Sequence, residues 1–124
     1  MKFKIFFLVL AIFTSVVTPS FADSYRLTSG EAGEYVGQTA TVCGHVASTK
    51  FAYKSKGQPT FLNLDAPYPR QLFTVLIWGN DRPLFGSPET IYEGKNICAT
   101  GLIKTYKGVP EIVAKTPSQI SLSK

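Results

Sequence analysis

The chain has 124 residues, with 13 Lys or Arg against 8 Asp or Glu, a formal charge of +5, a single histidine and two cysteines. That length gives one domain with a modest interior and no space for a separate catalytic domain. One histidine and two cysteines argue against a metal centre of nitrogen and sulfur ligands, and no glycine-rich phosphate loop or Ser/His/Asp set is present, so no cofactor, metal or catalytic residue is expected.

The chain opens on Met1, Lys2, Phe3 and Lys4 and continues apolar from Ile5 to Phe13 and through Val16 and Val17. A basic start, a short hydrophobic middle and small residues at Ser20 and Ala22 form the pattern of a secretory signal peptide, with cleavage expected after Ala22. A membrane anchor is the competing reading, but Thr14, Ser15, Thr18 and Pro19 interrupt the apolar run before the roughly 20 residues that a bilayer requires. The expected organisation is a signal peptide over 1–22, a lead-in over 23–37 and a single domain over 38–124, exported to the periplasm or beyond, with no membrane span after cleavage. Loss of Lys2 and Lys4 leaves 11 basic residues against 8 acids, a charge of +3. So mild an excess permits polyanion binding without requiring it.

After the leader, Ser29-Gly30-Glu31-Ala32-Gly33-Glu34 carries helix-start residues and two glycines, which predicts no more than one helical turn near Ala32 to Tyr35. From Gln38 onward the pattern changes to β-rich runs separated by Gly, Pro and Asn: Gln38 to Thr49, Thr60 to Asp65, Leu72 to Trp78, Asn96 to Thr105, and Glu111 to Ala114. The first run is long and carries Gly44, where a strand can bend or bulge. Between the third and fourth runs, Pro88 to Tyr92 suits one or two helical turns, with Pro at the start and Glu89 in the first turn.

Cys43 and Cys98 are an even pair in an exported chain and are read as a disulfide. Strand alternation puts Val42 and Val46 on one face of the first run and Cys43 on the other, and likewise Ile97, Ala99 and Ile103 against Cys98, so the bridge joins the first run to the fourth as neighbouring strands.

Five strands with a long bent first member and a short helical connection after the third resemble the oligonucleotide/oligosaccharide-binding (OB) fold. The text that carries the resemblance is Thr41-Val42-Cys43-Gly44-His45-Val46, Thr60-Phe61-Leu62-Asn63-Leu64-Asp65, Phe73-Thr74-Val75-Leu76-Ile77-Trp78-Gly79 and the ending Tyr106-Lys107-Gly108-Val109-Pro110-Glu111-Ile112-Val113 followed by Pro117-Ser118-Gln119-Ile120. This ending is similar to that of nucleic-acid-binding OB domains of the tRNA-anticodon type. The resemblance spans about Gln38 to Ile120 and implies an all-β, five-stranded barrel in a small exported bacterial protein. Export and two cysteines depart from the intracellular members of that group.

In OB barrels the ligand lies across the second and third strands, between the loop joining strands one and two and the loop joining strands four and five. Carried onto this chain, the ligand-binding residues are Lys50, Phe51, Tyr53, Lys54 and Lys56 from the first loop, Phe61 from the second strand, and Tyr106 and Lys107 from the last loop. Aromatic rings interleaved with lysines, with no acid between them, suit a single-stranded nucleic acid or another anionic polymer, because bases stack on rings while amines neutralise phosphate. The competing reading is a solvated lysine-rich surface. Phe61, Asn63, Leu76 and Trp78 alternate away from Leu62, Leu64, Val75 and Ile77, and Trp78 is read as packing at the barrel end. His45 is read as structural. A protein- or glycan-interaction module is the second reading and a secreted nuclease the third; for the nuclease, Asp65, Asp81, Glu89 and Glu93 do not form the paired-acid motif that a calcium-dependent enzyme needs. A monomer is expected.

Overall fold

Alternation along the β-rich runs decides which side of each strand is buried, and in the computed structural model, which describes residues 9–15 and 26–123, those runs close on themselves. Most of the expected signal peptide lies outside the described residues; its stretch 9–15 is irregular, with Val9, Leu10, Ile12 and Phe13 exposed. The strands are β1 (Arg26–Thr28), β2 (Thr39–Phe51), β3 (Thr60–Leu64), β4 (Phe73–Ile77), β5 (Asn96–Tyr106), β6 (Val109–Val113) and β7 (Ile120–Leu122). Between β4 and β5 stand two four-residue helices, α1 (Arg82–Phe85) and α2 (Pro88–Ile91). The expected helical turn over Ala32–Tyr35 is a 3-10 turn.

Five strands form the ring, in the order β2-β3-β4-β6-β5, and a β2–β5 pairing closes it. β4 and β6 run parallel, and the other pairs of the ring are antiparallel. β2 belongs to two sheets: its first half pairs with β5 from Thr39↔Leu102 to His45↔Asn96, and its second half pairs with β3 from Val46↔Leu64 to Phe51↔Thr60. The register slips between Val46 and Ser48, so the bulge lies at Ala47 and not at Gly44. Bulges of this kind bend a strand and sharpen its twist, which lets β2 turn the corner of a small barrel.

Gly44 has a different use. A Cβ built there would stand 2.5 Å from Asp65 Oδ2 and 2.7 Å from Ser29 Oγ, so only glycine lets both side chains close over β2. The Asp65 carboxylate then accepts from the His45 backbone N–H at 2.9 Å, and the Asp65 N–H donates to the His45 carbonyl at 2.8 Å. This pair of bonds fixes the far end of β3 to β2 where the ladder changes partner.

Val42, Val46, Leu62, Leu64, Phe73, Val75, Ile77, Ile97, Ala99, Ile103 and Ile112 point into the barrel and are completely buried. Each large aliphatic among them contributes about 1.5–3 kcal/mol of burial free energy. Phe85 from α1 joins the same cluster, with Tyr35 and Tyr92 packed against its margin. The helical connection therefore serves as a plug.

Two short strands were not among the expected runs. β1 adds in parallel to β2 through Arg26↔Thr41 to Thr28↔Cys43, and β7 adds to β5 through Ile97↔Leu122 to Ala99↔Ile120. Three residues are too few to show a period, so their pairing partners and not their own pattern make them strands. β6 begins at Val109, earlier than expected, with Pro110 opposite Thr105; β4 reaches β6 only from Glu111 onward, and proline is tolerated where one side of a strand is open.

On the outer face of the β2–β5 pair stand three cross-strand couples. Thr41 and Thr100 share a hydroxyl hydrogen bond of 2.7 Å, Cys43 and Cys98 are joined as a disulfide with Cα atoms 4.0 Å apart, and His45 Nδ1 lies 2.9 Å from Asn96 Oδ1. His45 thus has a structural partner. The bridge closes a loop with a sequence separation of 55 residues, for which the chain-entropy relation gives about 4 kcal/mol. The double variant Cys43→Ala/Cys98→Ala is expected to lose about that much stability in urea unfolding, and a loss well under 1 kcal/mol would show that the β2–β5 pairing alone holds the ring.

Candidate ligand-binding groove

Where β2 and β5 leave each other, their second halves spread apart and β3, β4 and β6 fill the space between them. The open face of this sheet is a groove of about 620 Å³, lined by side chains from β2, β3, β4 and β6, by the segment 68–71 and by the β5–β6 turn.

The floor is a single transverse row. Ser48 lies opposite Asn63, Asn63 opposite Thr74, Thr74 beside Glu111, and Glu111 opposite Lys104, so one register line crosses all five strands with polar side chains. Asn63 Nδ2 donates to Ser48 Oγ at 3.1 Å, and that oxygen also accepts the Tyr68 backbone N–H at 3.0 Å. Gln71 Nε2 donates to Thr74 Oγ1, and Thr74 Oγ1 donates to Asn63 Oδ1, both long at 3.4 Å. Asn63 and Thr74 are buried, which makes this network a fixed surface.

Glu111 follows Thr74 in the row and stands outside its hydrogen-bonded part. It is half-buried, and among the described residues its carboxylate has no hydrogen-bond or ion-pair partner; the ion pair found there joins Arg82 to Glu89. Burial pushes the Glu111 carboxyl above its ordinary range, and Lys104 across the β5–β6 pair partly offsets the push.

The basic residues stand at the rims. Lys50 comes from the exposed side of β2, two residue pairs beyond Ser48, opposite Phe61. Lys107 comes from the β5–β6 turn, where Lys107 and Gly108 have φ values of 49° and 80°, the two left-handed residues that a two-residue hairpin turn needs. The turn is therefore tight, and Tyr106 and Lys107 are held at its tip with the Lys107 ammonium 5.4 Å from the Tyr106 ring.

Of the eight residues expected to contact ligand, Lys50, Phe61, Tyr106 and Lys107 line this groove. Phe51 and Tyr53 do not. Alternation along β2 turns Phe51 to the opposite side from Lys50, where the Arg82 guanidinium covers its ring at 3.8 Å. Tyr53 lies 6.2 Å from Phe51, and Lys54 lies 5.7 Å from the Tyr53 ring, around a smaller hollow of about 220 Å³ beside the groove. Lys56 lines neither. Trp78 rests against Gly57 of the β2–β3 loop, where a Cβ would meet its ring at 2.9 Å, but it remains exposed and outside the core cluster. Leu76 is buried and does not reach the groove.

Solved structures share the path of this backbone. A structure of OBody AM1L10 bound to hen egg-white lysozyme is similar to it with a TM-score of 0.56 and 19% identity, covering 87% of this chain and 98% of that one. The Entamoeba histolytica aspartyl-tRNA synthetase gives a TM-score of 0.54 and 16% identity over 86% of this chain, which spans 23% of the synthetase. The barrel has the OB fold. No protein-family profile and no curated protein sequence matches the chain. At such identities the likeness extends to the path of the backbone, and the groove must be argued from its own side chains.

Ser48, Tyr68, Gln71, Thr74 and Glu111 are groove residues that the sequence reading missed. Thr74 has the parity of Leu76 and Trp78, so period-two counting was sufficient to find it. Gln71 and Tyr68 sit on a connection with no period.

Glu111 supplies a test of the floor. An acid whose folded pKa is raised is more stably accommodated protonated, so its contribution is present at low pH and is lost as pH rises through the unfolded value towards the folded one. Glu111→Gln is expected to remove that downward step, so that its urea midpoint, relative to the parent, improves between about pH 4 and pH 7. Identical pH profiles for the two proteins would show that the carboxylate is fully solvated.

Proposed function

We propose that the chain is an exported OB barrel that binds one strand of an anionic polymer, single-stranded nucleic acid foremost, in the groove between the β2–β3 loop and the β5–β6 turn, and that it acts by binding and not by catalysis. The observation that carries this reading is the placement of Lys50 and Lys107 at the rims of one groove together with the rings of Phe61 and Tyr106. Rings offer stacking faces at about 1–3 kcal/mol per base, and ammonium groups neutralise the phosphates on either side. A strand laid across the row meets fixed hydrogen-bonding groups below and cations at the sides.

Export is supported by the leader pattern of the first 22 residues and by the Cys43–Cys98 bridge, a bond that persists in oxidising compartments. No helix among the described residues is long and apolar enough to cross a membrane. A binding role is supported by the chemistry of the groove, whose charged groups are Lys50, Lys107 and Glu111, beside the rings of Phe61 and Tyr106.

A second reading has its own observation. Ser48, Asn63, Gln71 and Thr74 form a neutral hydrogen-bonding floor with Tyr68 at its edge, which also suits a saccharide. OBody AM1L10, a barrel of similar fold, is bound to a protein, hen egg-white lysozyme, so a protein-interaction module stands beside it.

Salt separates the polyanion from the sugar. Fluorescence anisotropy with a labelled single-stranded oligonucleotide is expected to show affinity falling with salt at a log-log slope near −0.7 for each phosphate neutralised. Lys50→Glu/Lys107→Glu is expected to weaken binding at least about tenfold and to flatten the slope. Undiminished affinity in that variant, or affinity for a glycan without salt dependence, would eliminate the polyanion reading.

A further inference from the structure

A carboxylate on the floor of a groove for polyanions demands an account, because it repels phosphate. Glu111 is half-buried, lines the groove and lacks a donor partner among the described residues. The groups nearest to it in register are Thr74 and Lys104, and Lys104 is exposed and does not line the groove. The cations that do line it, Lys50 and Lys107, come from the end of β2 and from the tip of the β5–β6 turn, at the margins of the face. Among the side chains that line the groove, the cations stand at the rims and the carboxylate on the floor.

The floor also has acceptors of its own. Ser48 Oγ already accepts two bonds, Asn63 Oδ1 accepts from Thr74, and Gln71 Oε1 is buried with no donor within reach. Glu111 adds the one carboxylate of the groove lining, with two charged acceptor oxygens.

We infer that Glu111 is a specificity-determining residue: the bound strand lies with phosphates against the rims and bases towards the floor, where the Glu111 carboxylate accepts from amino-bearing base edges and disfavours thymine and uracil. This rests on the single-strand reading above. The chemistry follows from the base edges. Cytosine presents a 4-amino group, a recognised donor to Glu and Asp, and adenine and guanine carry amino groups on their own exposed edges. Thymine and uracil present one N–H between two carbonyl oxygens, so a carboxylate that reaches the donor meets acceptor lone pairs beside it. Burial strengthens both the attraction and the repulsion, because the local dielectric is lower than that of water.

The ring of Phe61 supplies the companion contact, since it stands in the neighbouring row opposite Lys50 and lines the same groove. Stacking there is tolerant of base identity, which leaves discrimination to the carboxylate.

The test compares fluorescein-labelled oligo(dC) and oligo(dT) of about a dozen nucleotides, a length within the span of single OB domains, with the full disulfide-bonded domain at neutral pH and low salt. The parent is expected to bind oligo(dC) about tenfold or more tightly than oligo(dT). Glu111→Gln, which offers one acceptor and one donor in the same shape, is expected to strengthen oligo(dT) binding and bring the ratio close to one. Lys107→Ala is expected to weaken both oligonucleotides alike and preserve the ratio, which separates base readout from phosphate contact. Equal affinities in the parent, or a ratio unchanged in Glu111→Gln, would overturn the role of Glu111 and leave single-strand binding standing. Failure of both oligonucleotides to bind would overturn the two readings together.

Discussion

The antiparallel pairing of β2 with β5 is the constraint on which the rest of the molecule depends. Seven residue pairs, from Thr39↔Leu102 to His45↔Asn96, convert an open five-stranded sheet into a ring, and the disulfide lies within that ladder at Cys43↔Cys98. On the inner side of the same ladder, Ala40, Val42, Ile97 and Ala99 enter the core. On the outer side the bridge is flanked by the Thr41–Thr100 and His45–Asn96 couples, each a short-range polar contact that favours the same register. A one-residue slip would turn Val42 and Ala99 out to solvent and the cysteines inward, so the core and the bridge specify one another.

Closure at one end creates the opening at the other. Once β2 has been fixed to β5 through His45, the bulge at Ala47 turns β2 towards β3, while β5 continues towards β6 and its hairpin turn. The two strands that carry the disulfide also supply the basic rims: Lys50 stands near the end of β2, and Lys107 directly follows the end of β5. The rims are therefore positioned by the covalent closure and not by contacts with each other. Between them, β3, β4 and β6 hold the polar row at a register set by core residues on their other faces, Leu62, Leu64, Val75, Ile77 and Ile112. Side chains on strands so anchored are more exactingly placed than side chains on loops, which is why the row, and not the lysines, is the element suited to discrimination.

Much of this was legible in the chain. The cysteine parity, the five β-rich runs and the glycine-rich and proline-rich connections led to the ring, its bridge and the β4–β5 helical plug, because alternation reports burial directly. The short strands β1 and β7 were not legible, since three residues carry no period and their conformation comes from neighbours. In the groove, Lys50 and Lys107 were reached through the OB resemblance, which assigns ligand to their loops, and Phe61 by parity, but Phe51 was grouped with Lys50 as one loop when the strand in fact extends through both and turns them to opposite sides. Glu111 was passed over for a related reason: nothing in a single sequence reveals that Ser48, Asn63, Thr74 and Glu111 occupy one register line, which is a property of three separate pairings.

The rims and the floor also differ in what they can contribute physically. Lysine ammonium groups on long, mobile stems act as point charges whose attraction is screened within about 8–10 Å at physiological salt, and they grip any anionic backbone alike. The buried amide and hydroxyl groups of the row have lost their mobility already, so a ligand that matches them meets no further ordering cost in the protein, and one that leaves Glu111 without a donor incurs the cost of desolvating a carboxylate for nothing. Affinity at the margins and selectivity on the floor is the division of labour that the proposed single-strand reading implies. Under the proposed single-strand reading an acid can stand in a basic groove, because Lys50 and Lys107 would hold the strand from the sides while Glu111 would act only on groups that approach the sheet itself.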